Sequence, residues 1–231
     1  MKHKKIIKEI IAGMKFFKKN KFIPLHEPNL NSEDIKMVKK CIQSSYISSV
    51  SHFTHKFENK IKYLTKSKYS IAVINGTSAL QIAIKACGVK KGQEVLIPNL
   101  NYIGSSNATI YCGAIPHFVD VESNSFGIDT EKLEKYLNKI CYIKKNSLIN
   151  KYTKRVIKAV IPTHIFGNSA KIDNILKISK KFHLKVIEDA SECVGSYYKG
   201  KHLGTFGDAG VVSVNGNKII TTGGGGAVIT N

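Results

Sequence analysis

Apolar residues recur along this chain in two alternating rhythms. Short runs rich in β-branched residues occur at Tyr69–Ile74, Glu94–Pro98, Pro116–Val121, Arg155–Ile161, Lys185–Glu188, Ala209–Val214 and Gly226–Thr230. Each is too short for a stable helix and is flanked by turn-forming residues, which predicts strands. Between them lie segments with apolar residues three and four apart, predicting helices over Thr77–Cys87, Ile103–Tyr111, Asp129–Leu137 and Lys171–Phe182. Gly88 and Gly113 end the first two, and Asp129 sits near the start of the third. Two more helices come before the first strand. One runs from Ser32, its expected cap, to about Ser44; the other spans His52–Leu64, with Phe53, Phe57, Ile61 and Leu64 on one face. The polar stretch Ser44–Ser51 between them reads as a loop. Strands alternating with helices predict a three-layer α/β fold around a largely parallel sheet. Tyr142–Lys154, rich in lysine and asparagine, interrupts the rhythm and is expected to be a loop insertion.

The N-terminal segment Met1–Phe22 has a different character. It is basic, with Ile6, Ile7, Ile10, Ile11, Met14 and Phe17 at helical spacing. It lacks the unbroken apolar core and cleavage site of a signal peptide. A surface helix packing on the domain or on a neighbouring subunit is the expectation. Pro24 and Pro28 bracket an extended segment, Ile23–Leu30. The chain thus divides into a basic helix, 1–22, and one α/β domain, 23–231. The longest apolar runs, such as Ile71–Ile74 and Val156–Ile161, are too short to span a bilayer, so no membrane insertion is expected.

Composition narrows the function classes. Hydrophobic residues make up 42% and charged residues 23% of 231 residues, a globular profile. A formal charge of +20 raises the possibility of a nucleic-acid binder. However, Arg155 is the only arginine, and the lysines are spread along the whole length. Nucleic-acid sites favour arginine for its bidentate contacts. The charge is read as a solvated surface that draws in phosphate-bearing ligands, without a nucleic-acid partner. Five cysteines, an odd number with no CxxC spacing, support neither a disulfide framework nor a zinc site; no metal and a reducing cytoplasm are expected.

Three motifs carry candidate chemistry. Asn75-Gly76-Thr77-Ser78 follows a buried strand and opens a helix, where first-turn N–H groups make an anion site. It lacks the Gly-Lys-Ser/Thr of a Walker loop. Val186-Ile187-Glu188-Asp189-Ala190-Ser191-Glu192 delivers an acidic pair to the C-terminal end of a strand, the edge at which α/β sheets bind ligands. A carboxylate there needs a cationic or N–H partner, and helix capping is the simpler use for it. Ser213-Val214-Asn215-Gly216-Asn217-Lys218 places a lysine just past a strand, where partial desolvation can free its amine as a nucleophile. Any one lysine among so many is by default a solvated surface residue.

Taken together, the motifs from Phe22 to Asn231 resemble the DegT/DnrJ/EryC1/StrS family of sugar aminotransferases. The resemblance also runs through Ile23–Pro28, Val95–Pro98, Gly113–Pro116, His164-Ile165-Phe166-Gly167, Lys199-Gly200-Lys201 and Gly207-Asp208. It implies the large domain of the aspartate-aminotransferase fold (fold type I) and pyridoxal 5'-phosphate as cofactor. By resemblance, Lys218 is the Schiff-base lysine and Asp189 the partner of the pyridine nitrogen. Gly76, Thr77 and Ser213 are phosphate contacts, with Ser78 beside them in the same turn. Tyr102 stacks on the cofactor ring, and Glu192 lies near the cofactor's phenolic oxygen. His164 and Asn215 are candidate substrate contacts, with a structural histidine equally open. Asn215-Gly216-Asn217-Lys218 with Thr221–Gly226 is similar to a branch acting on UDP-linked 4-keto-6-deoxy-hexosamines on the way to legionaminic-acid-like sugars. The implied reaction passes an amino group from an amino acid, glutamate in this reading, to a 4-keto-6-deoxy nucleotide sugar. The family's remaining large-domain helices and C-terminal small domain are expected to be absent, with homodimer formation expected once they are supplied. Dehydratase-like relatives replace the lysine by histidine, which Lys218 argues against. A non-catalytic remnant or a phosphate- or polyanion-binding module is the competing reading.

Overall fold

A computed structural model describes residues 2–13 and 26–231. Its elements run in the order α1 (Lys2–Gly13), α2 (Ser32–Gln43), α3 (His52–Thr65), β1 (Tyr69–Val73), α4 (Gly76–Ala86), β2 (Glu94–Pro98), α5 (Gly104–Tyr111), β3 (Ile115–Val119), α6 (Thr130–Ile140), β4 (Cys141–Lys144), β5 (Ser147–Asn150), β6 (Val156–Val160), α7 (Ile172–Phe182), β7 (Lys185–Asp189), β8 (Tyr197–Tyr198), β9 (Lys201–His202), β10 (Ala209–Ser213) and β11 (Gly226–Thr230). The main sheet is ordered β1-β11-β10-β7-β6-β2-β3. From β10 to β3 every pairing is parallel. β11 runs antiparallel between β10 and β1, so β1 points the same way as the parallel strands.

Alternation along the strands sorts the core into two faces. Val95, Ile97, Ile187 and Val211 pack with Ala79, Leu80, Ala83 and Ile84 of α4 and Ala108 of α5. Leu96, Val160 and Val186 pack on the opposite face with Leu133 and Leu137 of α6 and Ile172, Ile175 and Phe182 of α7. Ile61 of α3 joins Val212, Ala227 and Ile229. Helices on both faces of the sheet make the expected three-layer architecture.

The insertion expected at Tyr142–Lys154 is not a loop. β4 and β5 form an antiparallel hairpin, and β5 pairs with β6. Lys145 and Asn146 at its tip both have positive φ (48° and 57°), the requirement of a two-residue hairpin turn. Glu94, 2% exposed, stitches this hairpin to the sheet. Its carboxylate accepts hydrogen bonds from His117 Nδ1 (2.7 Å), Asn150 Nδ2 (3.1 Å) and the Thr153 hydroxyl. A second hairpin, β8–β9, turns at Lys199-Gly200.

The cap of α2 also differs from expectation. Asn31, not Ser32, caps it, accepting the Glu33 N–H at 2.8 Å while Asp34 accepts the Asn31 N–H at 2.8 Å. The reciprocal pair needs an acidic or amide side chain three residues past the cap; Asp34 stands three past Asn31. Within the basic segment 1–22, residues 2–13 are helical, but Ile6, Ile7, Ile10 and Ile11 are exposed. Packing of this helix on the domain is therefore not what the structure shows. Residues 14–22, with Met14 and Phe17, and 23–25 of the extended segment lie outside the described residues. Among the described residues no helix is long and apolar enough to cross a membrane, and all five cysteines are free.

Candidate active site

Because β1, β2, β6, β7 and β10 all point one way, the segments that follow them meet at one edge of the sheet. They enclose a cavity of about 790 Å³. Every residue expected to touch cofactor or substrate lines it except Ser78; Glu188, the other half of the acidic pair, does not. The chain positions of those residues span more than 140 residues, so only the strand order brings them together.

One wall is an anion cradle. Asn75 caps α4 by accepting the Ser78 N–H at 2.8 Å. That capping bond occupies the Ser78 N–H. Gly76 and Thr77, in the first turn, have N–H groups with no acceptor inside the helix. A Cβ on Gly76 would stand 3.1 Å from Ser213 Cβ, 3.2 Å from Ser191 Oγ and 3.3 Å from Ser213 Oγ. Glycine here keeps open a concavity bordered by two hydroxyls and a helix N-terminus. Ser191 was not singled out from the sequence, although it lies two residues beyond Asp189 in the same motif. Gly104 performs a similar service: a Cβ there would meet Thr77 Oγ1 at 3.0 Å and the Tyr102 ring at 3.1 Å. Tyr102 itself stands at the mouth, 76% exposed.

The floor carries Asp189, buried at the end of β7. Ser105 Oγ donates to its Oδ2 at 3.0 Å, and the Ser191 N–H donates to Oδ1 at 3.2 Å. Both oxygens are thereby oriented. Next to it on the sheet, Thr163 is buried against the cavity, and its hydroxyl has no hydrogen-bond partner among the described residues. An unpaired buried hydroxyl at a cavity wall is available to a ligand or a water in the cavity.

Lys218 enters from the turn after β10, which is closed by bonds from Lys218 N to Asn215 O and from Thr222 N to Val214 O, both 3.0 Å. Its side chain is 15% exposed, and Nζ lies 3.0 Å from Glu192 Oε1. The other oxygen of Glu192 accepts the Phe166 N–H at 2.9 Å. Asn215 also lines the cavity, its amide held by Asn217 Oδ1 at 3.1 Å.

His164 is held from both sides. Its Nδ1 accepts the Ala170 N–H at 3.1 Å, which directs Nε2 and its proton at Glu188 Oε2, 3.0 Å away. Both side chains are fully buried. Glu188 also accepts N–H groups from Gly204 (3.0 Å), Phe206 (2.6 Å) and Gly207 (2.7 Å). Of the two readings open for His164, this geometry matches the structural one: the imidazole braces the wall and has no nitrogen free for a substrate.

Residues 28–231 match the DegT/DnrJ/EryC1/StrS aminotransferase family. The chain belongs to that family. It is 39% identical over 211 residues to the GDP-perosamine synthase of Escherichia coli O157:H7, covering 91% of this chain and 54% of that protein. It is 40% identical over 209 residues to the GDP-perosamine synthase of Caulobacter vibrioides, covering 90% and 52%. A putative pyridoxal phosphate-dependent aminotransferase, EpsN of Bacillus subtilis, matches at 33% over 212 residues, 92% and 52%. Among solved structures, an aminotransferase from Psychrobacter cryohalolentis superposes with a TM-score of 0.78 at 29% identity, covering 91% of this chain and 49% of that one. The chain spans about half the length of the curated relatives it matches. Two of these relatives are named for a GDP-linked sugar, whereas the motifs after Ser213 had suggested a UDP-linked branch.

The family's members depend on pyridoxal phosphate, and the cavity suits that molecule. The cavity offers a glycine–serine concavity at a helix N-terminus, an oriented buried carboxylate and a largely buried amine, groups of the kind that a phosphate, a protonated ring nitrogen and an aldehyde require. Thr163 supplies an unpaired hydroxyl beside them.

Proposed function

We propose that this chain binds pyridoxal phosphate covalently at Lys218 and serves an amino transfer from an amino acid, glutamate in our reading, to a 4-keto-6-deoxy nucleotide sugar. Surface polysaccharide or nonulosonic acid synthesis is the setting this reading implies. A cytoplasmic homodimer is part of the same reading. The observation that carries it is the placement of Lys218. In a chain with 36 lysines and arginines, this amine stands largely buried in a cavity with a glycine–serine anion cradle and an oriented buried carboxylate.

The bound cofactor would act as an electron sink for a carbanion next to nitrogen. The chain's own residues have separate tasks. The first turn of α4, with Ser191 and Ser213, would hold the phosphate through neutral donors. Asp189 would keep a proton on the ring nitrogen. Lys218 would tether the cofactor and, once freed by the incoming amine, would hold and move the proton at the reacting carbon. Glu192, 3.0 Å from Nζ, gives the free ammonium a resting partner. Thr163 would have its unpaired hydroxyl available to the bound group.

The deciding experiment is the Lys218→Ala variant, checked for folding by circular dichroism. Wild-type chain mixed with pyridoxal phosphate is expected to show the absorbance of the lysine-bound cofactor. Borohydride should fix the cofactor as a mass increment on the peptide carrying Lys218. The variant should show neither. Full absorbance or an unchanged increment in the variant would refute the assignment.

A further inference from the structure

We propose that Phe126 and Phe166 form an aromatic lip that takes the hexose ring of the nucleotide-sugar acceptor. This inference rests on the reading just given and extends it to the part of the substrate that does not react.

Both residues belong to Phe–Gly turns, Ser125-Phe126-Gly127 and Ile165-Phe166-Gly167, and both residues line the cavity. Both adopt the left-handed backbone conformation, with φ of 59° and 53°. That conformation is unfavourable for any bulky residue and is ordinarily taken by glycine or asparagine. In the first turn Phe126 holds the left-handed position while Gly127 beside it does not; in the second, Phe166 and Gly167 (φ 79°) both hold it. Burial of the rings does not explain it, because Phe126 is 43% and Phe166 78% exposed. Strain of this kind persists where surrounding structure over-determines it and is found at ligand sites.

The bracing is visible. Gly127 lies flat on Ala170, where an added Cβ would come within 2.8 Å of Ala170 Cβ. Ala170 in turn donates its N–H to His164, whose ring is locked by Glu188. Gly167 leaves no room for a side chain, since an added Cβ would stand 3.0 Å from Ser196 Oγ and 3.1 Å from the Glu192 carbonyl. The Phe166 N–H shares the Glu192 carboxylate with the Lys218 amine. The two turns are thus fixed to each other, and Phe166 is fixed one side chain away from the reacting nitrogen.

That position selects the ligand part. Phosphate belongs to the cradle at Gly76, and neither Phe–Gly turn offers a charged side chain to a diphosphate. The group beside the reacting carbon is the hexose. Its C–H-rich face, extended by the methyl of a 6-deoxy sugar, packs on an aromatic ring, whereas a face crowded with hydroxyls does not.

The test uses Phe126→Gly and Phe166→Gly. Glycine removes the ring, relieves the backbone and keeps the N–H that Glu192 accepts, so thermal stability should stay level or rise. Calorimetry on the cofactor-loaded chain then compares GDP-6-deoxymannose with GDP. The wild type should bind GDP-6-deoxymannose more tightly than GDP. The glycine variants should lose about tenfold in affinity for GDP-6-deoxymannose and fall to the GDP level, with GDP binding unchanged. Equal losses for both ligands would move the rings to the nucleobase and overturn the hexose assignment. Unchanged binding of both, or a melting temperature lowered by several degrees, would make the turns purely structural. Failure of the wild type to take up cofactor at Lys218 would refute the proposed function, and the lip with it; normal uptake with no hexose preference refutes the lip alone.

Discussion

Replacing Gly76 by alanine separates stability from ligand binding more cleanly than any other single change in the cavity. Gly76 is the first residue of α4 and is not among the glycines with positive φ, so alanine meets no backbone strain. Alanine in place of a helical glycine is worth up to about 1 kcal/mol of added stability. Against this stands crowding: the new methyl would lie 3.1 Å from Ser213 Cβ and 3.2 Å from Ser191 Oγ. The Ser191 hydroxyl can rotate away; Ser213, buried at the end of β10, can yield only a few tenths of an ångström. The two effects offset, and folding stability should move by no more than about 1 kcal/mol in either direction.

Binding should respond very differently. The methyl would fill the concavity that exposes the first-turn N–H groups and the two serine hydroxyls. Losing one charge-assisted hydrogen bond removes about 1.5–3 kcal/mol, a rise in Kd of roughly 10- to 150-fold. Titration of the apoprotein with pyridoxal phosphate, followed by the absorbance of lysine-bound cofactor, reads this directly. Inorganic phosphate should compete in the wild type and lose that ability in the variant. Unchanged Kd with unchanged stability would show that the phosphate does not sit at the α4 terminus. A stability loss above about 2 kcal/mol would show instead that the crowding has been underestimated.

The polar cores make their own predictions. Glu188→Ala would strand the His164 ring and the N–H groups of Gly204, Phe206 and Gly207, which share that carboxylate. A loss of about 3–5 kcal/mol is expected by urea denaturation, and a loss below about 1 kcal/mol would contradict the network. Burial of Glu94 raises its pKa, but bonds from His117, Thr153 and Asn150 outweigh that and hold it below the ordinary value. A carboxylate depressed in the folded state contributes stability above its unfolded pKa of about 4.3 and loses it as pH falls through the folded value. The melting temperature should therefore drop as pH is lowered through that window. Glu94→Gln should flatten the drop, and an identical pH profile in wild type and variant would exclude this role.

How far the fold could be read in advance depends on where the information lies. Strands buried on both faces, such as Glu94–Pro98, are near-continuous apolar runs and need no partner to be recognised. The β4–β5 hairpin has no such run, since only alternate residues of β5 are buried and its turn is Lys145-Asn146. Lysine in the left-handed region leaves no signature in composition. The same holds at the site. Lys218, Asp189 and Gly76 follow strand ends and could be ranked by motif. Ser191 needed the distance to Gly76, Thr163 the lack of a partner, and Phe126 and Phe166 their backbone angles. These are properties of the folded chain, because they arise from packing between segments far apart in sequence.

The net charge can now be placed in the mechanism of binding. The residues lining the cavity include two carboxylates, Asp189 and Glu192, and a single lysine or arginine, Lys218, which is already paired. Locally the cavity repels an anion, yet its proposed ligands are a phosphate and a nucleoside diphosphate. Two features reconcile these facts on different length scales. At contact distance, fixed dipoles do the work: first-turn N–H groups and serine hydroxyls hold phosphate without a full positive charge. At long range, a surface with a formal charge of +20 supplies the attraction that the cavity lacks. Arg155, the only arginine, lies in another cleft, beside Glu94 and Tyr136. Salt should therefore slow cofactor association strongly while changing its dissociation little, because screening acts on the distant lysines and not on the buried dipoles. A dissociation rate as salt-sensitive as the association rate would mean that a lysine side chain, rather than the α4 terminus, holds the phosphate.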